Sequence, residues 1–178
     1  LPVILSLFPS FAPLARAPRA DLIRAWSGMG YNNRILRFQK LAVEVMEKYD
    51  GKLPHKISEL QSLPGIGKYT AHAVACFAFL QKVPVVDINV RRVYSRIFWK
   101  QKYFHDLVDE EKIWDIAQTL LVTNAYDYNQ ALMDLGALVC TKKNPKCMKC
   151  PVSSLCKSAS RLVGAKKKKR IEPNRKGT

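Results

Sequence analysis

The chain has 178 residues, 48% of them hydrophobic, and its 30 Lys+Arg against 14 Asp+Glu give a formal charge of +16. That length suits one or two small domains with a real core, and that charge selects polyanionic partners, either nucleic acid or an anionic membrane surface. No uninterrupted apolar run approaches the roughly 18 residues that a membrane-crossing helix needs, so nucleic acid is the stronger reading.

In chain order, residues 1–8 are apolar but carry neither a basic leader nor a small-residue cleavage site. They read as the end of a helix already under way, and with no initiator Met the sequence is expected to begin inside a longer protein. Apolar residues then recur at three- and four-residue steps over 22–26, 32–49, 57–63, 69–80, 90–99, 113–121 and 128–139, which predicts amphipathic helices. Gly51 stops the second of these. The run at 83–86 is too isolated to make a sheet, and the expected fold class is all-α. Cys76 lies in an apolar run and reads as a core residue. His55, His72 and His105 lack ligand spacing and read as surface or structural residues. From about Ser158 the pattern fades into a basic tail; residues 161–178 hold eight Lys/Arg and one Glu, a net of 8 − 1 = +7. Such a run is a solvated, disordered tail that adds polyanion affinity.

Three local patterns carry chemistry. Four of the five cysteines, Cys140, Cys147, Cys150 and Cys156, follow C-x6-C-x2-C-x5-C. Four thiolates in so short a stretch can saturate a tetrahedral zinc or hold a four-iron cubane, and the spacing leaves both open. Lys142, Lys143, Lys146, Lys149 and Lys157 are interleaved with them and no acidic residue intervenes, which makes the loop a surface for phosphate. Upstream, Leu63-Pro-Gly-Ile-Gly67 joins two helical stripes as a tight hairpin. Gly65 and Gly67 there are expected to allow positive φ and close backbone approach, with the following helix N-terminus and Lys68 facing a phosphate. The plainer reading is an αα-hairpin turn. Third, Asp87 stands between an apolar run and a helix, where it is first an N-cap. A carboxylate there could also stabilise the oxocarbenium-like transition state of glycosidic cleavage.

Taken together, Leu63-Pro-Gly-Ile-Gly67, Asp87 and the cysteine series resemble the helix-hairpin-helix DNA glycosylases of the endonuclease III superfamily, over nearly all of residues 9–157. The resemblance implies two helical lobes with DNA across the cleft between them, a 4Fe–4S cluster on the four cysteines, and Asp87 as the catalytic carboxylate. It implies a helical bundle with the hairpin at 1–82, a lobe with the carboxylate and cluster at 83–157, and the tail at 158–178. Bifunctional endonuclease III-type members carry a nucleophilic lysine where Tyr69 stands. Lys68 is adjacent, but one helical step turns it by about 100°, and a Schiff base needs an amine at that point; a monofunctional glycosylase is therefore expected.

Residues 26–31 (Trp-Ser-Gly-Met-Gly-Tyr) and 129–140 look most like the branch that removes adenine opposite G or oxidised G. By that likeness Tyr31 and Tyr69 insert near the target pair and Asn89 supports Asp87 and the flipped nucleotide; packing at a helix end is the plainer role for both tyrosines. The sequence departs from that branch in three ways. Its Glu general acid, in a Gln-Gln-Thr context, lies upstream of this sequence, Asp87-Ile-Asn89 replaces Asp-Gly-Asn, and the branch's C-terminal domain for oxidised guanine is not within these residues. Residues 67–71 and 74–79 also look like a branch that removes thymine or uracil opposite G. A bifunctional glycosylase/lyase and a non-catalytic DNA lesion-binding module are further alternatives. The expected partner is a duplex with a mismatched or damaged base, without a membrane, the protein acting as a monomer at the nucleoid of a prokaryote or in a eukaryotic nucleus.

Overall fold

The computed structural model describes residues 2–31, 33–100, 108–160 and 162, and all regular structure among them is helical. His105 and the basic run at 166–170 lie outside these residues. Two units form, Leu1–Phe79 and Leu80–Thr178. Among the described residues no helix is long and apolar enough to cross a membrane.

The first unit holds α1 (Pro2–Leu7), α2 (Phe11–Arg16), α3 (Arg19–Ala25), α4 (Asn33–Tyr49), α5 (Ile57–Ser62) and α6 (Lys68–Phe77). Its long member, α4, buries Ile35, Leu41, Ala42 and Val45, the one-sided spacing that the periodicity predicts. Ile35 and Ala42 join Leu14, Leu22 and Trp26 in the core against α2 and α3; each fully buried Leu or Ile contributes about 1.5–3 kcal/mol. Gln39 adds a polar tie, its amide donating to the carbonyls of Ala17 at 2.7 Å and Ala15 at 3.3 Å. The helix ends where expected, with Gly51 at φ +73° and its N–H on the Val45 carbonyl. Further on, α6 stops at Phe77, three residues before the expected end, and Leu80 turns the chain at φ +54°. Cys76 is fully buried, and His55 stacks on Phe79 with ring centroids 4.0 Å apart.

The second unit contains α7 (Ile88–Trp99), α8 (Glu110–Thr119) and α9 (Ala125–Asp134) around Val90, Val93, Tyr94, Ile113, Trp114 and Leu132. The stripe at 128–139 is not one α-helix. It changes at Leu135 into a π-helical turn, Leu135–Val139, closed by Cys140 N–H on the Leu135 carbonyl at 2.7 Å. The apolar run at 83–86 forms no strand; its backbone is satisfied by a side chain instead. Buried Asn129 accepts from Val85 N–H at 3.0 Å and donates to the Val83 carbonyl at 3.0 Å, and so fixes the segment that leads into Asp87. Asn129→Ala leaves the buried Val85 N–H and the part-buried Val83 carbonyl without that partner, at up to roughly 1–3 kcal/mol each. Denaturant unfolding should show this variant about 2–4 kcal/mol less stable.

Candidate active site and cluster-binding lobe

Asp87 caps α7. One carboxylate oxygen accepts from Val90 N–H at 2.7 Å and the other from the Asn89 amide at 2.9 Å. The plain N-cap role is therefore real, and the carboxylate is only partly buried, so it retains an open side. Asn89 in turn accepts from Arg92 at 2.9 Å, and Arg92 also donates to the carbonyls of Cys140 at 2.8 Å and Gly136 at 2.7 Å. A continuous hydrogen-bonded path thus runs from Asp87 through Asn89 and Arg92 to the first cysteine of the series. Burial pulls the Arg92 guanidinium down from its ordinary value; the Cys140 thiolate opposes this, Arg96 adds to it and Asp87 opposes it. Gly136 is small of necessity. A Cβ there would stand 2.8 Å from the Asn89 Cβ and 3.2 Å from its backbone.

Arg96, one helical turn beyond Arg92, is buried too. Its guanidinium donates to the carbonyls of Cys140, Thr141 and Lys142 and lies 3.3 Å from the Cys140 sulfur. Its own carbonyl accepts from Ser158 N–H and sits 3.4 Å from the Cys156 sulfur. One residue therefore grips both ends of the cysteine segment. Sequence reasoning missed Arg92, Arg96 and Gly136. The available signal was two arginines at i and i+4 inside the apolar stripe of α7, where buried charge demands partners.

Cys140, Cys147, Cys150 and Cys156 are free thiols lining one small pocket, with apolar walls that include Val93, Ile97 and Leu135. Among the described residues no three Cys, His, Asp or Glu side chains gather as a single ion requires, at Zn–S distances of about 2.3 Å. Thiols set around a cavity fit a multi-iron cubane better than a lone zinc. Burial first, then the neighbouring cluster cysteines, push the Cys147 thiol up from its ordinary value; burial also pushes up Cys156. A bound metal's charge favours their deprotonated form. Lys142, Lys143, Lys146, Lys149 and Lys157 all face solvent around this cage.

The remaining predicted residues lie in the first unit. Gly65 turns the hairpin at φ +81°, and a Cβ there would meet the Arg37 side chain at 3.5 Å. The expectation for Gly67 needs correction: its φ is −88°, an extended N-cap of α6, so it uses no left-handed freedom. Nothing among the described residues lies within 4 Å of a Cβ built at Gly67, so its smallness leaves an open surface. Lys68 and Tyr69 follow, both exposed in the first turn of α6, whose N-terminus has no side-chain cap. Tyr31 is 85% exposed at φ +49°; it packs into no helix end, which removes the plainer reading for that tyrosine.

Comparison with known proteins agrees with this geometry. A family described as HhH-GPD superfamily base excision DNA repair protein matches residues 2–118, and the iron–sulfur binding domain of endonuclease III matches residues 140–156. The cofactor of the four cysteines is a 4Fe–4S cluster. Adenine DNA glycosylase of Mycolicibacterium smegmatis is 42% identical over 151 residues, 82% of this chain and 50% of the relative. The human adenine DNA glycosylase is 40% identical over 157 residues, 87% of this chain and 29% of the relative. The chain thus spans half or less of these relatives. Among solved structures, a thermostable thymine-DNA glycosylase superposes with a TM-score of 0.80 at 31% identity, covering 89% of this chain and 73% of that one. A non-covalent endonuclease III–DNA complex gives 0.76 at 24% identity, covering 90% and 74%.

Two outcomes follow. Cys147→Ser should lose the cluster's visible absorbance and lower the melting temperature together; full absorbance would remove Cys147 from the ligand set. Gly136→Ala should destabilise the protein by about 1–3 kcal/mol in denaturant unfolding, because Asn89 must move.

Proposed function

Because this chain belongs to the HhH-GPD superfamily of base excision DNA repair proteins, we propose that it serves as a monofunctional DNA glycosylase that hydrolyses the N-glycosidic bond of adenine mispaired with G or oxidised G. The observation that carries the reading is Asp87, a half-buried carboxylate held at both oxygens. Bond cleavage at a deoxyribose leaves positive charge on the sugar ring, and a fixed anion near C1′ stabilises it. Asn89 holds one oxygen, so the carboxylate keeps its orientation while charge develops. Tyr69, at the position of the lyase lysine in bifunctional relatives, offers no amine for a Schiff base. Water then completes the reaction, and the abasic strand stays intact.

Binding is assigned to two surfaces. Gly65, Gly67 and Lys68 present backbone N–H groups and a cation to one phosphate, and the lysines of the cysteine segment present charge to others. The target nucleotide is flipped out of the stack to reach Asp87; Tyr31 and Tyr69 are assigned to stacking on exposed bases. Bound on Cys140, Cys147, Cys150 and Cys156, the 4Fe–4S cluster supplies a four-point cross-link for the lysine-bearing segment. Adenine as the base rests on the relatives at 34–42% identity. The likeness to the thymine-DNA glycosylase favours thymine opposite G as the second reading.

The test is incubation with duplexes holding A:G, A:oxidised G, T:G or U:G, with and without alkali. Breaks should appear with the adenine duplexes and only after alkali. Efficient breaks without alkali would sink the argument from Tyr69, and breaks confined to T:G or U:G would select the thymine branch. Asp87→Asn should slow base release by at least about 100-fold with duplex affinity kept. Retained activity would remove Asp87 from the mechanism.

A further inference from the structure

Tyr31 holds an unusual position for an aromatic residue. Its ring is 85% exposed and its backbone sits in the left-handed region at φ +49°. Gly28 at φ +80° and Gly30 at φ +68° precede it, so the short link between α3 and α4 uses that region three times. Left to itself, such a glycine-rich link samples many conformations. Here both of its ends are tied. The carbonyl of Trp26 accepts from Met29 N–H at 3.1 Å, and the indole N–H of the same residue donates to the Gly30 carbonyl at 2.8 Å. On the far side the Tyr31 carbonyl accepts from Arg34 N–H at 2.8 Å, in the first turn of α4. Trp26 itself is anchored in the core with Leu22 and Ile35, 9% exposed, and the Arg34 guanidinium lies 5.9 Å from its ring centroid. Nothing among the described residues lies within 4 Å of a Cβ built at Gly28 or Gly30, so the link's outer side is open.

We propose that Trp26 is the positioning residue for Tyr31: by holding the Gly30 carbonyl, its indole N–H presents the tyrosine ring ready to enter a base stack at the mispair. This rests on the insertion role given to Tyr31 above. An aromatic ring gains by stacking on any base, but a ring on a loose link spends part of that gain on ordering. A link already held in its bound shape does not. Trp26 thereby converts core rigidity into preference for duplexes whose stack opens easily, a mispair over a matched pair, without touching DNA.

The experiment compares wild type with Trp26→Phe, Gly30→Ala, Tyr31→Phe and Tyr31→Ala. Each is titrated onto mispaired and matched duplexes carrying 2-aminopurine, whose fluorescence rises on unstacking, beside the central pair. Trp26→Phe keeps an aromatic ring in the core and deletes the N–H. Loss of one hydrogen bond should cut the mispair-over-matched preference about three- to tenfold and shrink the fluorescence rise. Matched-duplex affinity and melting temperature should stay near wild type. Gly30→Ala leaves the core untouched and strains the same link, so it should reproduce the loss and decides the matter if Trp26→Phe folds poorly. Tyr31→Phe keeps the ring and should keep the mispair preference; loss of that preference would overturn stacking as the role of Tyr31. If Tyr31→Ala keeps the full preference and fluorescence rise, the insertion reading itself fails. If Tyr31→Ala loses them while Trp26→Phe and Gly30→Ala keep them, only the role of Trp26 is overturned. A fall in matched-duplex affinity equal to the fall in mispair affinity would reduce Trp26 to a core residue.

Discussion

Two guanidinium groups buried on one face of α7 constrain the second unit more than any other feature. Arg92 and Arg96 are 8% and 4% exposed, and buried charge is tolerated only when its donors are met. Most of the acceptors are backbone carbonyls of the stretch from Gly136 to Lys142. Carbonyl acceptors are directional, so this demand dictates the path of the chain as it leaves α9. The π-helical turn and Cys140 lie on that path, and the glycine at 136 lets it pass Asn89. Cys140, at the edge of the thiol-lined pocket, in turn favours the charged form of Arg92. The same Arg92 holds Asn89, and Asn89 holds Asp87. Cluster segment and carboxylate are therefore parts of one polar network rather than neighbours by sequence accident.

The first unit solves a different problem, that of keeping polar backbone and aromatic surface outward on a small helical core. The hairpin at Gly65 leaves the start of α6 without a side-chain cap, and the link before α4 leaves Tyr31 outside. Both sit on a core that Ile35 and Ala42 of α4 share with Leu14, Leu22 and Trp26, while Gln39 satisfies the end of α2. Exposed aromatic rings and open helix N-termini cost little in water and gain only against a base stack or a phosphate, so their retention suits a surface that meets nucleic acid.

Much of this is legible in the residues. The stripe of α4, the stop at Gly51 and the cap at Asp87 are local events, decided by spacing and by side chains within four residues. The cysteine series is legible because ligand spacing is chemistry written in one dimension. Asn89 beside Asp87 is legible only through the family resemblance. What escapes is long-range. The run at 128–139 reads as one helix, since the demand of Arg92 for the Gly136 carbonyl arises 44 residues away. Arg92 and Arg96 read as part of the positive field, although burial makes them structural. Asn129 holds the 83–85 backbone across a gap of 44 residues, which no local pattern encodes. Gly67 misleads in the opposite sense: paired with Gly65 it suggests positive φ, whereas only the residue inside the hairpin needs it.

The central claim is electrostatic: Asp87 is oriented to stabilise a positive sugar. It is tested most directly by the ratio of two affinities measured on the same protein. One duplex carries, in place of the target nucleotide, a five-membered ring with a protonated nitrogen that mimics the sugar cation; the other carries the neutral oxygen ring. A carboxylate complementary to the transition state should bind the cationic ring tighter by about 100-fold or more, and Asp87→Asn should erase the difference. Equal affinity of the wild-type protein for the two duplexes would contradict the account.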